Sequence, residues 1–358
     1  MKIALIGPGL MPIPPIGWGA IEILIWKYYQ ALTKIGHEVT IFNTTNLKEV
    51  VERVNTNEFD FVHVQYDEFI NFFLQHCTVP FSITSHYGYI LKQEKWSKGY
   101  FSIFTDFLCA PHIIALSPTI GQLYLSAGYK GNLSILKNGI DIEQFSFKPT
   151  GNGKVLCLGK IEPRKRQAIL ARMVDCSVEV DFVGPLADKD FKTGKTTVYT
   201  GVWSKEEVVK KLTDYSALVL FSDGEAAPLV VVEALAAGLS IVISQSASAN
   251  LEVKPYITIL KDDEQDREIV IKALHDAVKN NFLYRNDIRE YARNSFDNSV
   301  ILKEYELIIA DSVKNKSTSF HSNGYKRKHF VHYFLSRAWF TLSKVLILRK
   351  TRDLLRKL

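Results

Sequence analysis

Residues 218–244 read LVLFSDGEAAPLVVVEALAAGLSIVIS, the most informative segment of the chain. It starts with a short apolar strand pattern, passes through a loop into a helix with Pro228 near its first turn, and reaches another strand pattern after Gly238. A strand, a helix and a second strand in this order are typical of a βαβ unit. The stretch therefore predicts an α/β domain built on a parallel sheet.

The same alternation continues in both directions along the chain. Strand patterns rich in β-branched residues lie at 2–7, 37–43, 59–66, 81–86, 112–117 and 133–139. A second series lies at 154–160, 178–184, 197–201, 217–222 and 240–244. Helical patterns separate most of these strands, so we expect two doubly wound parallel-sheet domains.

The Pro-, Gly- and Asn-rich stretch at 149–153 is the predicted linker between these domains. It divides an N-terminal domain, 1–148, from a C-terminal domain, 149–298. The helical pattern at 299–315 is expected to cross back to the first domain, and residues 316–358 form a basic tail. With 358 residues, 47% of them hydrophobic, the chain can build two cores.

The net charge of +6 is concentrated in the tail, because residues 324–358 contain ten Lys or Arg and one acid. A nucleic-acid protein usually spreads basic residues over its main binding face, so nucleic acid is not an expected partner. Residues 325–357 fit a basic amphipathic helix suited to an anionic membrane surface or a charged partner. Its apolar face would hold Val331, Phe334, Leu335, Ala338, Leu342, Val345 and Leu346. Packing on the same chain or on a second copy is the alternative.

The cysteines and the first residues of the chain indicate where in the cell the protein is expected. Cys77, Cys109, Cys157 and Cys176 form no CxxC or Cys/His pairing, so we expect buried thiols in a reducing compartment. MKIALIG (1–7) runs directly into a strand pattern without a secretion signal, and no apolar run reaches about 18 residues. The expected location is cytoplasmic, with peripheral membrane attachment as the alternative that the tail raises.

Two acids lie in the stretch quoted first: Glu225 in the loop and Glu233 eight residues later in the helix. An ionised carboxylate inside an apolar helix needs hydrogen-bond donors, which ligand hydroxyls would supply. The alternatives are a Glu233 that faces solvent or pairs with a base, and a Glu225 that is only an exposed acid near a helix start.

Two lysines follow a strand in CLGKIEPRKRQ (157–167), where Lys160 comes directly after the strand and Lys165 lies near the next helix start. Cations beside a helix N terminus can hold a diphosphate and stabilise the charge that grows as it departs. An exposed basic turn is the alternative.

Near the N terminus, Gly17 and Gly19 precede a helix, where glycines let backbone amides approach a phosphate or sugar. A flexible loop is the alternative, and the absence of GxGxxG argues against a dinucleotide oxidoreductase. His86 ends the strand pattern 81–86, at the expected cleft edge. A structural histidine is the alternative there.

Other polar residues are predicted to be structural. Ser117 is expected to cap the helix that starts near Pro118. Asp188 and Asp190 in PLADKD (185–190) are interpreted as an exposed turn, so no metal site is expected.

Together these residues resemble glycosyltransferase family 4, from residue 1 to about 313. EAAPLVVVEALAAG (225–238) follows that family's E-x7-E pattern, with Glu225 and Glu233 as its acids. Further matches in order and spacing are PPIGWGAIE, TKIGHEV, DFVHVQ, SHYGY, LKNGIDIEQF and LGKIEPRK. The resemblance implies the GT-B fold, in which two Rossmann-like doubly wound domains face each other across a cleft.

The resemblance also implies a retaining hexosyltransferase. Such an enzyme moves a hexose-type sugar from a UDP- or GDP-sugar to a glycan, lipid-linked or protein-linked acceptor. The nucleotide sugar is a co-substrate, and no cofactor or divalent metal is expected, because cationic side chains and helix dipoles would stabilise the leaving diphosphate.

Roles for individual residues follow from the same resemblance. Glu233 would bind the ribose hydroxyls, Lys160 and Lys165 would hold the diphosphate, and His86 would contact the transferred sugar. Glu225 and the loop amides after it would hold that sugar, while Gly17 and Gly19 border the phosphates from the opposite domain. The remaining donor-site residues are Ala226, Ala227, Pro228 and Leu229 in the sugar loop, and Gly184, Pro185 and Val202 around the base.

Three departures from the family pattern stand in the sequence. Lys160 replaces a common Arg, which keeps the charge and loses the bidentate fork. EAAP (225–228) replaces EGFG or EPFG, and Phe221 with Ser222 replaces Pro-Ser. The EAAP loop leaves open a catalytically silent protein that binds a sugar nucleotide or glycan. A GT-B epimerase or phosphorylase is a further alternative, although no lysine site for pyridoxal phosphate is identifiable.

Overall fold

The computed structural model describes residues 1–16, 19–174 and 177–314. The predictions made for Gly17, for Cys176 and for the tail at 316–358 lie outside the described residues.

The first half of the chain forms a six-stranded parallel sheet in the order β2-β1-β3-β4-β5-β6. Its strands are β1 Lys2–Gly7, β2 Glu38–Asn43, β3 Phe61–Val64, β4 Ser82–Ile83, β5 His112–Ala115 and β6 Asn132–Ile135. Its helices are α1 Ala20–Lys34, α2 Leu47–Thr56, α3 Ile70–His76, α4 Lys98–Phe107 and α5 Pro118–Ser126. Strands buried on both faces alternate with helices that cover them, as the sequence predicts.

The second half repeats this arrangement with the strand order β12-β11-β10-β7-β8-β9. Its strands are β7 Val155–Leu158, β8 Val180–Val183, β9 Thr197–Tyr199, β10 Ala217–Leu220, β11 Ser240–Ser244 and β12 Ile257–Leu260. The helices that follow the first linker region are α6 Gln167–Met173, α7 Lys205–Lys211, α8 Leu229–Ala236, α9 Arg267–Phe296 and α10 Asn298–Lys314. Two doubly wound parallel sheets are thus confirmed.

The chain passes between the two cores earlier than the linker prediction places the crossing. Leu136 packs in the core of the first half, whereas Ile140, Ile142 and Phe145 pack in the core of the second. The first crossing therefore lies near 136–140, ahead of the predicted linker at 149–153.

The chain then returns to the first half after α9. Phe296 belongs to the second core, but Ile301, Tyr305 and Ile309 of α10 pack with Ile3 and other residues of the first sheet. Two crossing segments therefore join the halves.

Several strands end sooner than their sequence patterns. The clearest case is β4, which covers two residues of the pattern 81–86, because Thr84, Ser85 and His86 leave the sheet at its carboxyl edge. Thr84 and Ser85 are nevertheless buried and His86 is half-buried, so an inward-facing segment continues after the strand has ended. β12 has no counterpart in the sequence prediction, since it is a four-residue edge strand with a half-exposed pattern.

The described thiols differ in burial. Cys77 and Cys157 are buried, as expected, whereas Cys109 is half-buried. Burial raises the pKa of Cys77 and of Cys157 to about 12. Within residues 1–16, 19–174 and 177–314, no helix is both long and apolar enough to cross a membrane.

Candidate active site

Loops at the carboxyl ends of the two sheets meet across a cleft. The backbones of Gly88, after β4, and Gly224, after β10, approach so closely that a Cβ on Gly224 would lie 2.8 Å from the carbonyl oxygen of Gly88. Lys95 Nζ lies 3.6 Å from Asp223 Oδ2, and Lys92 forms an ion pair with Asp262. The carboxyl ends of parallel strands are where ligands of such folds bind, so this cleft is the candidate site.

Glu225 is the centre of a charged cluster in this cleft. Its Oε1 lies 3.0 Å from Arg164 Nη1 and 3.7 Å from Lys165 Nζ, and it accepts a hydrogen bond from Ser222 Oγ at 3.1 Å. The side chain is only 13% exposed. Among the described residues no contact is recorded to Oε2, so one carboxylate oxygen is held by protein and the other is free to accept from a ligand.

Arg164 is a site residue that the sequence analysis did not single out. Its guanidinium also donates to Glu162 Oε1 at 3.0 and 3.2 Å and to the carbonyl oxygen of Gly224 at 2.6 Å. Burial alone would lower its pKa, but Glu225 and Glu162 together raise it. The sequence showed only a basic run, RKR (164–166), and which of its members faces Glu225 depends on the turn after β7.

The two predicted lysines differ in how they are held. Lys160 is 58% exposed in its side chain and has one nearby acid, Glu162, at 3.6 Å. Lys165 is 15% exposed, and its Nζ lies 3.0 Å from where a Cβ on Gly159 would stand. Gly159 has φ of +143°, a backbone conformation that favours glycine. The loop thus brings Lys165 beside Glu225 and leaves Lys160 open to the cleft.

The predicted base-framing loops lie together beside Lys160. The amide of Gly184 donates to the carbonyl of Gly201 at 2.8 Å, and Pro185 accepts from Ile161 at 2.8 Å. A Cβ on Gly184 would stand 2.1 Å from the carbonyl oxygen of Gly159. Val202, directly after Gly201, is 51% exposed and free to cover a ligand.

Glu233 lies on α8 and is half-buried. Burial raises the pKa of its carboxyl group, and Lys27 and Lys205 offset part of this effect. No hydrogen bond or ion pair to it is recorded within the described part of the chain, so the ion-paired alternative is not what the structure has. Lys27 belongs to α1, which places a cation of the first half near this acid.

The start of α8 presents free amides. Pro228 is the N-cap residue, with no side-chain cap, and the helix begins at Leu229. The backbone N–H groups of Ala226, Ala227 and Leu229 donate no recorded hydrogen bond to the described residues. Asn138, from the first crossing segment, donates to the carbonyl oxygen of Ala227 at 2.9 Å and holds this loop in place. Unpaired amides at a helix N terminus attract anionic or hydroxylated ligands.

His86 stands at the opposite wall, as predicted from its strand. Its Nε2 lies 2.9 Å from Gln65 Oε1, and its backbone amide donates to Asp67 Oδ1 at 3.2 Å. Burial lowers the pKa of His86 to about 4, so the ring is neutral at pH 7.

An open cavity of about 560 Å³ adjoins His86 on the side of the first half. Its walls combine tyrosine rings with acids and one cation: Tyr66, Tyr87, Tyr89, Tyr100, Asp67, Glu68 and Arg164. Burial raises the pKa of Asp67 to about 6, against hydrogen bonds from Ser85 and His86 that lower it. The cavity offers apolar ring faces and acceptors, with Arg164 at its border to the charged cluster.

Gly19 lies at the N-cap of α1 with φ of +152°, and a Cβ there would stand 2.8 Å from Glu22 Oε2. Glu22 is 4% exposed, so this turn is tightly packed where it is described. Its neighbour Gly17, predicted to border the phosphates, lies outside the described residues.

Two structural predictions have different outcomes. Ser117 caps α5, because its Oγ accepts from the amide of Ile120 at 3.2 Å. The exposed turn predicted for Asp188 and Asp190 is wrong for Asp188, which is buried and accepts from the amide of Asp190 at 2.9 Å. Across the described residues, no group of three or more His, Cys, Asp or Glu is arranged to hold a metal ion.

Comparisons with known proteins agree with this architecture. Residues 140–295 match the model of a family described as glycosyl transferases group 1. No curated protein sequence matches the chain. Among solved structures, sucrose-phosphate synthase from Thermosynechococcus elongatus is 16% identical, with a TM-score of 0.70, over 87% of this chain and 98% of that one.

Two further solved structures cover 87% of this chain and all of their own. Anabaena HepE in complex with UDP and glucose is 16% identical with a TM-score of 0.67. The lipopolysaccharide outer core galactosyltransferase WaaB is 15% identical with a TM-score of 0.66. These likenesses show the fold, which is GT-B as the sequence predicts.

Proposed function

We propose that the chain is a retaining glycosyltransferase of family 4 that transfers a hexose-type sugar from a nucleoside-diphosphate sugar. The observation that carries the proposal is the pair of acids on and before α8. Glu225 has one oxygen held by cations and one without a recorded partner, and Glu233 has no recorded partner among the described residues. Sugar and ribose hydroxyls are the donors that such acceptors need.

The leaving diphosphate would be stabilised by the cations of the same loop. Lys160 is open to the cleft, whereas Arg164 is tied to Glu162 and Glu225. Lys160 and Lys165 would therefore meet the phosphates, with the free amides of α8 beside them. We also propose that no divalent metal takes part, so that activity persists in EDTA.

A UDP-sugar is the first donor to test. HepE, which shares the fold, was solved with UDP and glucose and with UDP-glucose. GDP-sugars are the second group, because the loops at Gly184, Pro185 and Val202 present backbone and an aliphatic side chain that select no base by charge.

The tyrosine-lined cavity beside His86 would receive the acceptor. Ring faces suit a sugar, and the acids around Asp67 would accept from its hydroxyls. A glycan, lipid-linked or protein-linked acceptor fits this proposal. Retention rests on the family resemblance, and the anomeric configuration of the first product formed, followed by NMR, tests it.

The deciding experiment incubates the purified full chain with a panel of UDP- and GDP-sugars and measures both donor binding and release of the nucleoside diphosphate. We expect binding and slow hydrolysis of at least one donor. Binding without hydrolysis or transfer would favour the catalytically silent alternative. Absence of binding to every member would reject the proposal.

The composition of the tail supports a peripheral membrane location as a further part of the proposal. Ten basic residues stand against one acid in 324–358, which favours anionic surfaces. Flotation with anionic vesicles, comparing the full chain with one ending at Asn315, tests it: equal recovery would contradict the proposal.

A further inference from the structure

A chain of buried hydrogen bonds leads from α10 to the ring of His86. On β3, His63 Nδ1 lies 2.7 Å from Tyr305 Oη, and His63 Nε2 lies 2.8 Å from Thr84 Oγ1. Gln65 places its Nε2 3.0 Å from His63 Nδ1 and its Oε1 2.9 Å from His86 Nε2. His63, Gln65 and Thr84 are each 1% exposed, so water does not compete for these bonds.

The proton positions in this chain follow from one backbone carbonyl. The hydroxyl of Thr84 lies 2.9 Å from the carbonyl oxygen of Ile114, which can only accept, so the single Thr84 proton is used there. His63 Nε2 must therefore donate to Thr84 Oγ1. Burial lowers the pKa of His63 well below its usual value, so the ring is neutral and its Nδ1 carries a lone pair.

The hydroxyl of Tyr305 and the amide of Gln65 both approach that lone pair, at 2.7 and 3.0 Å, so the group that Gln65 turns toward it must also be a donor. Only the NH₂ end can donate to His63 Nδ1, so the carbonyl oxygen Oε1 faces His86. A carbonyl oxygen needs a donor, so His86 carries its proton on Nε2. Since the ring is neutral at pH 7, its Nδ1 is then an unprotonated acceptor.

Nδ1 of His86, the nitrogen that can accept a hydrogen bond, is open to the cavity. The ring of His86 lines the cavity, and no hydrogen bond from Nδ1 to the described residues is recorded. In the described part of the chain, Nδ1 of His86 has no hydrogen-bond partner and is not among the fully buried polar atoms. It therefore keeps access to the cavity.

We propose that Gln65 is a positioning residue that holds His86 in its Nε2-protonated form and thereby presents Nδ1 to one hydroxyl of the transferred sugar of the donor, which would lie between His86 and the acceptor bound in the cavity. The ligand feature selected is a hydroxyl that donates. A sugar that is deoxygenated or O-methylated at that position loses this bond, because a neutral imidazole nitrogen has no proton to offer in return. The identity of the ligand as a sugar rests on the proposed function, whereas the protonated nitrogen does not.

The first test needs no substrate. Two-bond ¹H–¹⁵N correlation spectra of the full chain labelled in histidine, at pH 7.5, report which ring nitrogen of His86 carries the proton, with His86→Asn used to assign the signal. We expect the proton on Nε2. A proton on Nδ1 in the native chain would overturn the proposal, whatever the enzyme activity.

Two variants separate positioning from a merely structural role. Gln65→Leu removes the acceptor, so we expect His86 to shift toward the Nδ1-protonated form. Gln65→Glu keeps an acceptor oxygen and is expected to restore the proton on Nε2. An unchanged form in Gln65→Leu would overturn the proposal. A proton on Nδ1 alone in Gln65→Glu would also overturn it, and this test remains if Gln65→Leu does not fold.

A kinetic measurement connects the positioning to selectivity. With a donor that is hydrolysed, Gln65→Leu should lower kcat/KM by about tenfold or more, since one hydrogen bond to the sugar is lost. The same substitution should have little effect on a donor that is already deoxygenated at the contacted position. Equal losses with every deoxygenated donor would contradict the selectivity. Failure of all donors to react would count against the proposed function and leave the spectroscopic result standing.

Discussion

At the scale of single residues, the two acids of the EAAPLVVVE stretch have opposite surroundings. Glu225 is held by Arg164, Lys165 and Ser222, while Glu233 has only the long-range influence of Lys27 and Lys205. A carboxylate that is neither paired nor fully solvated gains most when a ligand donates to it. Glu233 should therefore be the more sensitive of the two to the presence of nucleotide.

Glu233→Gln is expected to weaken binding of the nucleoside diphosphate by about 1.5 to 3 kcal/mol, because the ribose hydroxyls lose a charged acceptor. This corresponds to roughly tenfold to a hundredfold in Kd. Isothermal titration calorimetry measures it, with Glu252→Gln, an exposed acid outside the cleft, as the control. Unchanged affinity in a folded variant would remove Glu233 from the site.

Lys160→Ala and Lys165→Ala should lower kcat more than they raise KM, because negative charge on the diphosphate grows toward the transition state. Steady-state kinetics with varied donor measure both constants. Lys189→Ala, at an exposed lysine in the loop after β8, is the control. A change confined to KM would mean that these lysines bind donor and transition state equally, contrary to the proposed catalytic role.

The carboxyl group of Asp67 should make the stability of the folded chain depend on pH. Burial raises its pKa from 3.8 to about 6, so the folded chain favours the protonated carboxyl, and this contribution is lost as pH rises through about 4 to 6. The Asp67→Asn variant has no carboxyl group at this position, so it lacks this pH-dependent contribution to stability. The melting temperature of the variant, compared with that of the native chain at the same pH, should rise across that window and then stay constant above it. The corresponding change in relative stability is on the order of 2 to 3 kcal/mol.

His86 and His112, whose pKa values burial lowers to about 4, contribute a slope of the opposite sign in both proteins. Melting curves of the two proteins side by side at each pH remove that common part. A constant difference in melting temperature from pH 4 to 7 would contradict the assignment to Asp67.

At the scale of elements, helix α9 joins three segments of the second half through one side chain. Arg285 is 3% exposed and donates to the carbonyl oxygens of Lys148 and Tyr215 at 2.7 and 3.0 Å, and to Asn281 Oδ1 at 2.6 Å. The carbonyl of Tyr215 is buried, so its hydrogen bonding depends on the guanidinium, whereas that of Lys148 is partly buried.

Arg285→Ala should destabilise the second half by about 3 kcal/mol or more, because buried carbonyls lose their donor. Lys272→Ala on the same helix is the matched control: Lys272 is 77% exposed in an ion pair with Asp276, and we expect a loss below about 0.5 kcal/mol. Urea unfolding followed by circular dichroism compares them. Similar urea midpoints for the two variants would contradict the proposal that Arg285 holds these segments of the second half together.

The sequence predicted most elements because apolar runs and helical periods are local properties. It missed β12, whose ITIL segment is short and half exposed. It also extended β4 over Thr84 to His86, which stay buried or half-buried although they are not part of the strand. Strand ends depend on the neighbouring strand, which a single sequence does not contain.

The same limit separates the candidate site residues that the sequence analysis singled out from those that it did not. The acids and lysines were found because their spacing within one segment is fixed. Arg164 and Gln65 were not singled out, since their importance comes from contacts with Glu225 and His86, which follow other strands of the sheets. The crossing near 136–140 was placed too late because composition marks flexible stretches and does not mark where a chain changes core.

At the scale of the whole molecule, the halves touch through side chains at the cleft rim. Lys92 pairs with Asp262, Lys95 with Asp223, and Asn250 donates to the carbonyl oxygen of Leu116 at 2.8 Å. These rim contacts are polar, which is typical of domain surfaces that separate and close, while Ala226 of the second half packs against apolar residues of the first.

Donor should draw the halves together about the two crossing segments, and removing the rim contacts should favour separation. We expect the radius of gyration of the Lys92→Ala, Lys95→Ala double variant to exceed that of the native chain, and to fall when a UDP-sugar is added. Small-angle X-ray scattering measures this. Lys148→Ala, which breaks an ion pair with Asp214 inside one half, should leave the profile unchanged. Superimposable profiles for all three proteins would argue for a rigid molecule.

The return of α10 to the first half also decides which part of the molecule a tether would hold. Lys314 ends a helix that is packed on the sheet of β1, so an attachment through the residues after it would hold the first half of the molecule. If the tail does attach to a surface, the first half would stay fixed while the second half, which we propose binds the nucleotide, would move. Donor could then be exchanged with the surrounding solution while the proposed acceptor cavity keeps a constant distance from the surface.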